Sequence, residues 1–243
     1  MEQIPGRNQP QNFAASSQAQ NLNDFQNSQG QTLFFIMTLP PLILIHGYPF
    51  DHTMWKSVVA ALADKTKVIT PDLPGFGDNP VESAEPSIAL MADHIAELFE
   101  LKNLPRAVVA GMSMGGYVAL AFAERHKDRL AGLGLVSTQA NADTPETQTA
   151  RRSMIEKVRR EGINPAIEAV LPKLFSDANQ NNSDMKQYLI DGAQNAGVAG
   201  ICWALEAMKL RPDRTSVLRT LPVPAAVIHG AEDKIVPAER ARQ

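Results

Sequence analysis

The stretch of the chain that most constrains its fold is VVAGMSMGGYVALAFAERH, residues 108–126. An apolar run ends at Gly111, Ser113 stands between Gly111 and Gly115, and a segment of helical periodicity follows at once. Flanking glycines leave room for a strained turn in which a buried strand becomes a helix. Such a turn exposes the serine hydroxyl above the carboxyl edge of a sheet, and the helix N-terminus favours developing negative charge. The pattern therefore predicts that Ser113 is a nucleophile.

Short apolar runs and helical periodicity alternate along the chain, which predicts a doubly wound, mostly parallel α/β sheet covered by helices on both faces. The strands are predicted at residues 42–47, 67–70, 106–111, 133–137 and 225–230. The intervening helices are predicted at residues 53–64, 87–102 and 114–127, with Ser87 as an N-cap.

A long insertion separates the fourth predicted strand from the fifth, and its pattern is helical throughout. Thr144 and Pro145 are typical of an N-cap and first helical position, and Ser183 is expected to cap another helix. An excursion of this size from an α/β core is typical of a lid. Three parts are therefore predicted: a disordered Gln/Asn-rich tail, an α/β core, and a helical cap. They comprise residues 1–37, residues 38–138 with 221–243, and residues 139–220.

Composition excludes several classes of function. The 243 residues include 23 basic and 26 acidic side chains, for a net charge of −3, so nucleic acid and anionic membranes are not expected as partners. No apolar run approaches the roughly 20 residues of a membrane span. The lone cysteine, Cys202, excludes an internal disulfide and a cysteine-built metal site, and beside Trp203 it is expected to pack in the core. We expect a cytoplasmic protein without cofactor or metal.

Three further segments join the Ser113 turn in a familiar order: HGYPFDHTMW (46–55), PDLPGFGDN (71–79) and VIHGAEDKIVP (227–237). Over roughly residues 40–243 the chain resembles α/β-hydrolase-fold proteins, in particular serine esterases and lactonases with a helical cap. The resemblance implies that the first of these segments is the oxyanion loop. It also implies that the last carries the acid of a catalytic triad.

The resemblance assigns a role to each matching residue. Ser113 would attack the acyl carbon, and the backbone N–H groups of Tyr48 and Met114 would bind the oxyanion. Asp233 would orient the catalytic histidine and stabilise its cationic form. Asp143 is the alternative acid, because some relatives carry the acid after the preceding strand, whereas Asp72 is expected to form a structural turn.

The histidine that such a triad requires is expected about 25 residues beyond the acid, after one more strand. The chain ends at Gln243, and its five histidines are each expected to have structural or surface roles: His46, His52, His94, His126 and His229. The sequence therefore resembles a fragment with the catalytic base, the last strand and the last helix missing. The first two strands of the family also lack clear counterparts before Leu42, unless TLFFIM (32–37) serves as one.

A serine at the turn, where haloalkane dehalogenases and epoxide hydrolases use a carboxylate, favours acyl transfer to water. Esterase, lactonase, thioesterase, amidase and C–C hydrolase activities remain open, because fold analogy does not choose among them. Tyr48, Phe50, Met112 and Met114 predict an apolar pocket for a modest acyl or alkyl group. We expect cleavage of a small ester or lactone through an acyl-enzyme. The alternative is a non-catalytic binding protein that kept the turn and lost the base.

Overall fold

Residues 24–26, 32–34 and 39–242 are described by the structure, a computed structural model. Strand β1 (Asp24–Gln26) pairs antiparallel with β2 (Thr32–Phe34) in a sheet of their own. Most of the tail that was predicted to be disordered lies outside the described residues. The prediction of disorder over residues 1–37 did not include the pairing of β1 with β2. Strand β2 does fall within TLFFIM, the segment that the sequence offered as a strand.

Runs of buried aliphatic residues form one parallel sheet in the main body of the protein. Its strands are β3 (Leu42–Ile45), β4 (Val68–Ile69), β5 (Ala107–Met112), β6 (Leu130–Val136) and β7 (Ala225–Ile228). Their order is β4-β3-β5-β6-β7. All five predicted strands are confirmed, although β6 begins three residues earlier than expected. Because parallel strands share a carboxyl edge, the loops after β3, β5, β6 and β7 meet at that edge.

Three helices flank the sheet: α1 (Lys56–Leu62), α2 (Ile88–Leu101) and α3 (Met114–Arg125). Ser87 caps α2 as predicted, since its hydroxyl accepts the N–H of Leu90 at 3.0 Å. The predicted helix at 53–64 is instead a 3-10 turn over His52–Trp55 followed by α1. Val58 of α1 is 37% exposed. Val59 of α1 instead packs against the buried cluster of Leu44, Trp55 and Ala110.

The insertion at residues 139–220, called the cap below, is helical as predicted. Its helices are α4 (Pro145–Glu161), α5 (Asn164–Val170), α6 (Ser183–Gln194), α7 (Gly197–Lys209) and α8 (Thr215–Arg219). Thr144 caps α4 by accepting the N–H of Thr147 at 3.3 Å, whereas Ser183 is itself the first residue of α6. Cys202 is buried, with its Sγ 3.9 Å from the carbonyl oxygen of Ile155, which confirms its packing role. Within the described ranges, no helix is long and apolar enough to cross a membrane.

Strand β7 lies at one edge of the sheet with every residue exposed. Val227 is 55% exposed and Ile228 is 62% exposed, in a strand whose backbone pairs with β6 on one side. An apolar edge strand of this kind is a template for pairing with other chains. Within the described residues, β4 is the outer strand at the other edge of this sheet.

Replacing Val227 and Ile228 together by threonine should lower the binding of a hydrophobic dye and slow aggregation. Threonine keeps the β-branched shape that suits a strand while it removes exposed apolar surface. The melting temperature should change little, because both side chains are already exposed. Leu101→Gln is the matched control, since Leu101 is 73% exposed at the end of α2. If Leu101→Gln lowered the dye fluorescence by the same amount, β7 would not be the surface that binds the dye.

Candidate active site

Ser113 alone makes the turn from strand to helix, because β5 ends at Met112 and α3 begins at Met114. Its backbone has φ 51° and ψ −113°, a strained conformation that costs about 1–3 kcal/mol. Tertiary hydrogen bonds hold it there. The Ser113 N–H donates to the Val136 carbonyl at 2.9 Å, and the Ser113 carbonyl accepts from the Thr138 hydroxyl at 2.8 Å. The predicted strained turn is therefore present.

The two glycines that flank Ser113 are required by the close approach of backbone segments. A Cβ atom on Gly115 would lie under 3.0 Å from the carbonyl oxygens of Ile45 and His46. A Cβ atom on Gly111 would lie under 3.0 Å from the carbonyl oxygen of Gly115. Any side chain at either position would therefore push α3 away from the carboxyl ends of β3 and β5.

Gly115→Ala should destabilise the protein by about 1–3 kcal/mol, the usual cost of overpacking a rigid interior. At an ordinary helix position alanine is more stabilising than glycine by about 1 kcal/mol. A loss of unfolding free energy at Gly115 would therefore report the steric conflict. Gly132→Ala is the matched control, since a Cβ atom at Gly132 would meet its nearest neighbour at 3.4 Å. Urea denaturation measures both effects. A Gly115→Ala protein as stable as the parent would mean that the packing around the turn is looser than described.

A cavity of about 980 Å³ opens in front of Ser113, between the carboxyl edge of the sheet and the cap. Tyr48, Phe50 and Met112 line it, as the sequence predicted. Met114 was also expected in this lining, and that expectation is wrong. The Met114 side chain is fully buried in the main core, because the first residue of α3 directs it away from the cavity.

The loop after β3 passes directly beside the Ser113 turn. A Cβ atom at Gly47 would lie 3.6 Å from the Cβ of Ser113, and Gly47, Tyr48 and Ser113 all line the cavity. Within residues 39–242, the backbone N–H groups of Tyr48 and Met114 have no hydrogen-bond acceptor. Two unpaired donors beside the serine are what an oxyanion site requires.

His46 holds this loop in place from beneath. The side chain is fully buried, its Nε2 accepts the N–H of Leu73 at 3.0 Å, and its Nδ1 donates to the Gly47 carbonyl at 3.2 Å. Burial lowers the pKa of His46 to about 4, although the bond to Gly47 opposes that shift. His46 is therefore neutral near pH 7, and its expected structural role is confirmed.

Stability should fall as the pH drops through the titration range of His46. The pKa of an unfolded histidine is about 6.5, so protonation below that pH favours the unfolded chain. The contribution of neutral His46 is complete above pH 6.5 and is lost progressively toward pH 4. Between pH 6.5 and 5 this group alone should cost about 2 kcal/mol of unfolding free energy. His46→Gln should flatten that slope in urea titrations, and equal slopes in the two proteins would rule the explanation out.

Asp233 lies in the turn after β7 and lines the same cavity as Ser113. Its Oδ1 accepts the N–H groups of Ile235 at 2.8 Å and Val236 at 2.9 Å, which fixes the side chain. Its Oδ2 lies 3.6 Å from Nε2 of His229, and that nitrogen donates to the Val236 carbonyl at 2.8 Å. The structure thus brings Ser113 and Asp233 to one cavity, with one carboxylate oxygen of Asp233 left for a further donor.

No histidine within the described residues hydrogen-bonds to Ser113. The partners are Leu73 for His46, Asp72 for His52, Asn79 for His94, Asp93 for His126 and Val236 for His229. Asp72 also accepts the backbone N–H of His52 at 2.8 Å, in keeping with its expected structural role. The described part of the chain therefore supplies a serine and an acid at the cavity without a base between them.

Asp143, the alternative acid, is occupied by two arginines. Its side chain is fully buried, Arg151 Nε donates to Oδ2, and Arg211 Nη1 donates to Oδ1. Burial alone would raise the pKa of Asp143, but the hydrogen bonds and charges of Arg151 and Arg211 hold it below its ordinary value. An acid engaged in this way is not available to orient a histidine. Sequence reasoning missed both arginines, because Arg211 lies 68 positions from Asp143 and a spacing of eight positions does not by itself mark Arg151 as a partner.

The comparisons with known proteins agree with this architecture. Residues 40–162 match the family described as alpha/beta hydrolase fold. An esterase structure from Thermogutta terrifontis with malate bound is 39% identical, with a TM-score of 0.80 over 84% of this chain and 76% of that one. An enol-lactonase structure from Burkholderia xenovorans LB400 is 27% identical, with a TM-score of 0.77 over 89% of this chain and 80% of that one.

Among curated proteins, the 2-hydroxy-6-oxo-6-(2'-aminophenyl)hexa-2,4-dienoic acid hydrolase of Metapseudomonas resinovorans is 30% identical over 210 residues, 83% of this chain and 70% of that protein. The chain spans between 38% and 79% of the length of five curated relatives that it matches over 210 residues or more. The chain belongs to the α/β-hydrolase fold family. This kinship supports a hydrolase activity.

Proposed function

We propose that the chain provides the nucleophile, oxyanion site and acid of a serine hydrolase that cleaves small esters or lactones. The observation that carries the proposal is the strained conformation of Ser113, φ 51° at the mouth of a large cavity. Strain of this kind persists only where the surrounding structure enforces it, and it is concentrated at functional sites. Here it directs a serine toward a cavity beside two unpaired backbone donors.

In the proposed reaction the Ser113 Oγ attacks the acyl carbon of the substrate. The carbonyl oxygen becomes negatively charged and accepts hydrogen bonds from the N–H groups of Tyr48 and Met114. Collapse of this intermediate expels the alcohol and leaves an acyl group on Ser113, which water then removes. A base must accept the hydroxyl proton and pass it to the leaving alcohol, and Asp233 would orient that base.

The cavity supports a small, largely apolar acyl or alkyl group. Phe50, Met112 and Met154 contribute apolar surface to its lining. Structural neighbours at 39% and 27% identity are an esterase and an enol-lactonase, which favours an ester or lactone among the reactions open to this fold. The alternative of a non-catalytic binding protein is favoured by one observation: the described residues provide no base within hydrogen-bonding reach of Ser113.

Hydrolysis of p-nitrophenyl butyrate with and without added imidazole tests the proposal. The chain alone should act barely above background, because loss of the base in a serine triad costs about a millionfold in kcat. Imidazole can enter the cavity and act as the base, so a rate that depends on Ser113 should appear as imidazole is added. The rate measured with Ser113→Ala at the same imidazole concentration is subtracted, because it reports hydrolysis by imidazole in free solution.

Ser137→Ala is the matched control, because Ser137 lines the same cavity and also has a positive φ, 43°. It should retain most of the imidazole-dependent rate. A folded protein with no Ser113-dependent rate at any imidazole concentration would support the binding protein instead. Rapid turnover without imidazole, abolished by Ser113→Ala, would mean that a histidine of this chain already serves as the base.

A further inference from the structure

The cap side of the cavity carries an unbalanced positive charge. Two guanidinium groups, those of Arg151 and Arg211, share the single carboxylate of Asp143. The side chains of Asp143 and Arg211 are 0% and 2% exposed, so water screens this cluster weakly. One positive charge therefore remains without a carboxylate partner in the cluster.

Arg211 is closed off from ligands. Its Nη1 donates to the Met208 carbonyl at 3.0 Å and its Nη2 donates to the Asn141 carbonyl at 2.9 Å. Its guanidinium also stacks on the Tyr117 ring, with Cζ 3.9 Å from the ring centroid. Arg211 is absent from the cavity lining, whereas Arg151 and Asp143 are part of it. The accessible end of the charged cluster is therefore Arg151.

Arg151 has donor capacity to spare. A guanidinium carries five N–H groups. Nε is used by Asp143, Nη2 reaches Asp143 Oδ1 at 3.4 Å, and Nη1 contacts the thioether sulfur of Met208 at 3.4 Å. A thioether sulfur is a weak acceptor, so N–H groups on both terminal nitrogens remain available. The side chain is 17% exposed, and that exposure is toward the cavity which it lines.

The side of the cavity near β7 carries charges of both signs, because Lys234 and Arg240 line it as well as two acidic residues. The acidic residues are Glu232 and Asp233, and Lys234 pairs with Asp177 at 2.6 Å. Arg151 lies on the cap helix α4, so an anion bound there would leave the neutral part of a ligand directed toward the sheet edge. Ser113 stands at that edge.

We infer that Arg151 binds a carboxylate carried by the substrate, so that the substrates are half-esters of dicarboxylic acids or lactones that bear a free carboxylate. This inference rests on the proposed function of Ser113, because it names the class of ester placed before that residue. A carboxylate supplies the single negative charge that the cluster lacks, and its two oxygens match the geometry of a guanidinium.

Ligand binding tests the inference separately from catalysis. In a Ser113→Ala background no ester is consumed, and calorimetry measures the affinity of monomethyl succinate, glutarate and adipate. Each half-ester is compared with its neutral methyl-ketone isostere, such as methyl 4-oxopentanoate for the succinate. At least one half-ester should bind about 10-fold or more tightly than its isostere, as expected for a charge-assisted hydrogen-bond pair.

Arg151→Gln should abolish that preference, while Arg152→Gln should retain it. Arg152 is the matched control, because it is exposed at the next position of α4 and its substitution removes the same charge. Arg151→Gln is expected to fold, since Asp143 keeps Arg211 as its partner. Arg151→Lys keeps the charge but loses the planar donor pair, and should lower the preference about 3-fold or more. It serves as the test should Arg151→Gln not fold.

Equal affinity for half-esters and isosteres would overturn the inference, as would failure of every half-ester to bind at millimolar concentration. A preference that survives in Arg151→Gln would also overturn it and would place the anion at another cation of the lining, such as Lys173, Lys234 or Arg240. A preference for half-esters that is unchanged in Arg151→Lys would also overturn the inference. Because Ser113 is absent throughout, failure of the proposed hydrolysis would leave these binding results unaffected.

Discussion

The close approach of three backbone segments around Ser113 is the constraint on which the rest of the structure depends. The first turn of α3 lies against the carbonyl ends of β3, and the Ser113 N–H is bound to the last residue of β6. The strained turn therefore belongs to the sheet as a whole, and its cost of about 1–3 kcal/mol is offset by contacts with both neighbouring strands. Since the strands are parallel, their carboxyl ends bring the loop of Tyr48, Ser113 and Asp233 to one edge of the sheet.

The cap is bonded to the same loop that carries the proposed oxyanion donor. The buried carboxylate of Asp51 accepts the N–H of Thr53 at 2.9 Å and the side-chain amide of Asn195 at 3.0 Å. Burial would raise the pKa of Asp51, but these hydrogen bonds hold it below its ordinary value. The hydroxyl of Tyr188 in α6 also donates to the Thr53 carbonyl. Movement of the cap relative to the core would therefore disturb the loop three residues beyond Tyr48.

Local signals in the sequence accounted for the core of the fold. Buried strands read as continuous apolar runs, and the spacing Gly111-x-Ser113-x-Gly115 marked a turn whose strain the structure contains. Ser87 and Thr144 were identifiable as caps because an N-cap depends on residues within one helical turn. The family resemblance, rather than any pattern in the chain, assigned roles to Tyr48, Met114 and Asp233.

Features that depend on contacts between distant segments could not be predicted from the sequence. The pairing of Asp143 with Arg211 spans 68 positions, so Asp143 was available as an alternative acid until the structure placed both arginines against it. Met114 belongs to the core because of the direction of one side chain at a helix start, which composition does not specify. Helical periodicity does not show which of two adjacent valines in α1 faces the sheet: Val59 packs against Leu44 and Ala110, whereas Val58 is 37% exposed.

A crystal structure of the chain with a short alkylboronic acid would test the central claim most directly. Boronic acids add reversibly to a serine hydroxyl and imitate the tetrahedral intermediate of acyl transfer. The geometry described above predicts a bond from Ser113 Oγ to boron, with one boronate oxygen about 2.7–3.1 Å from the backbone nitrogens of Tyr48 and Met114. A boronate that is bonded to another residue, or whose oxygens point away from both N–H groups, would contradict the assignment of this turn as the reactive centre.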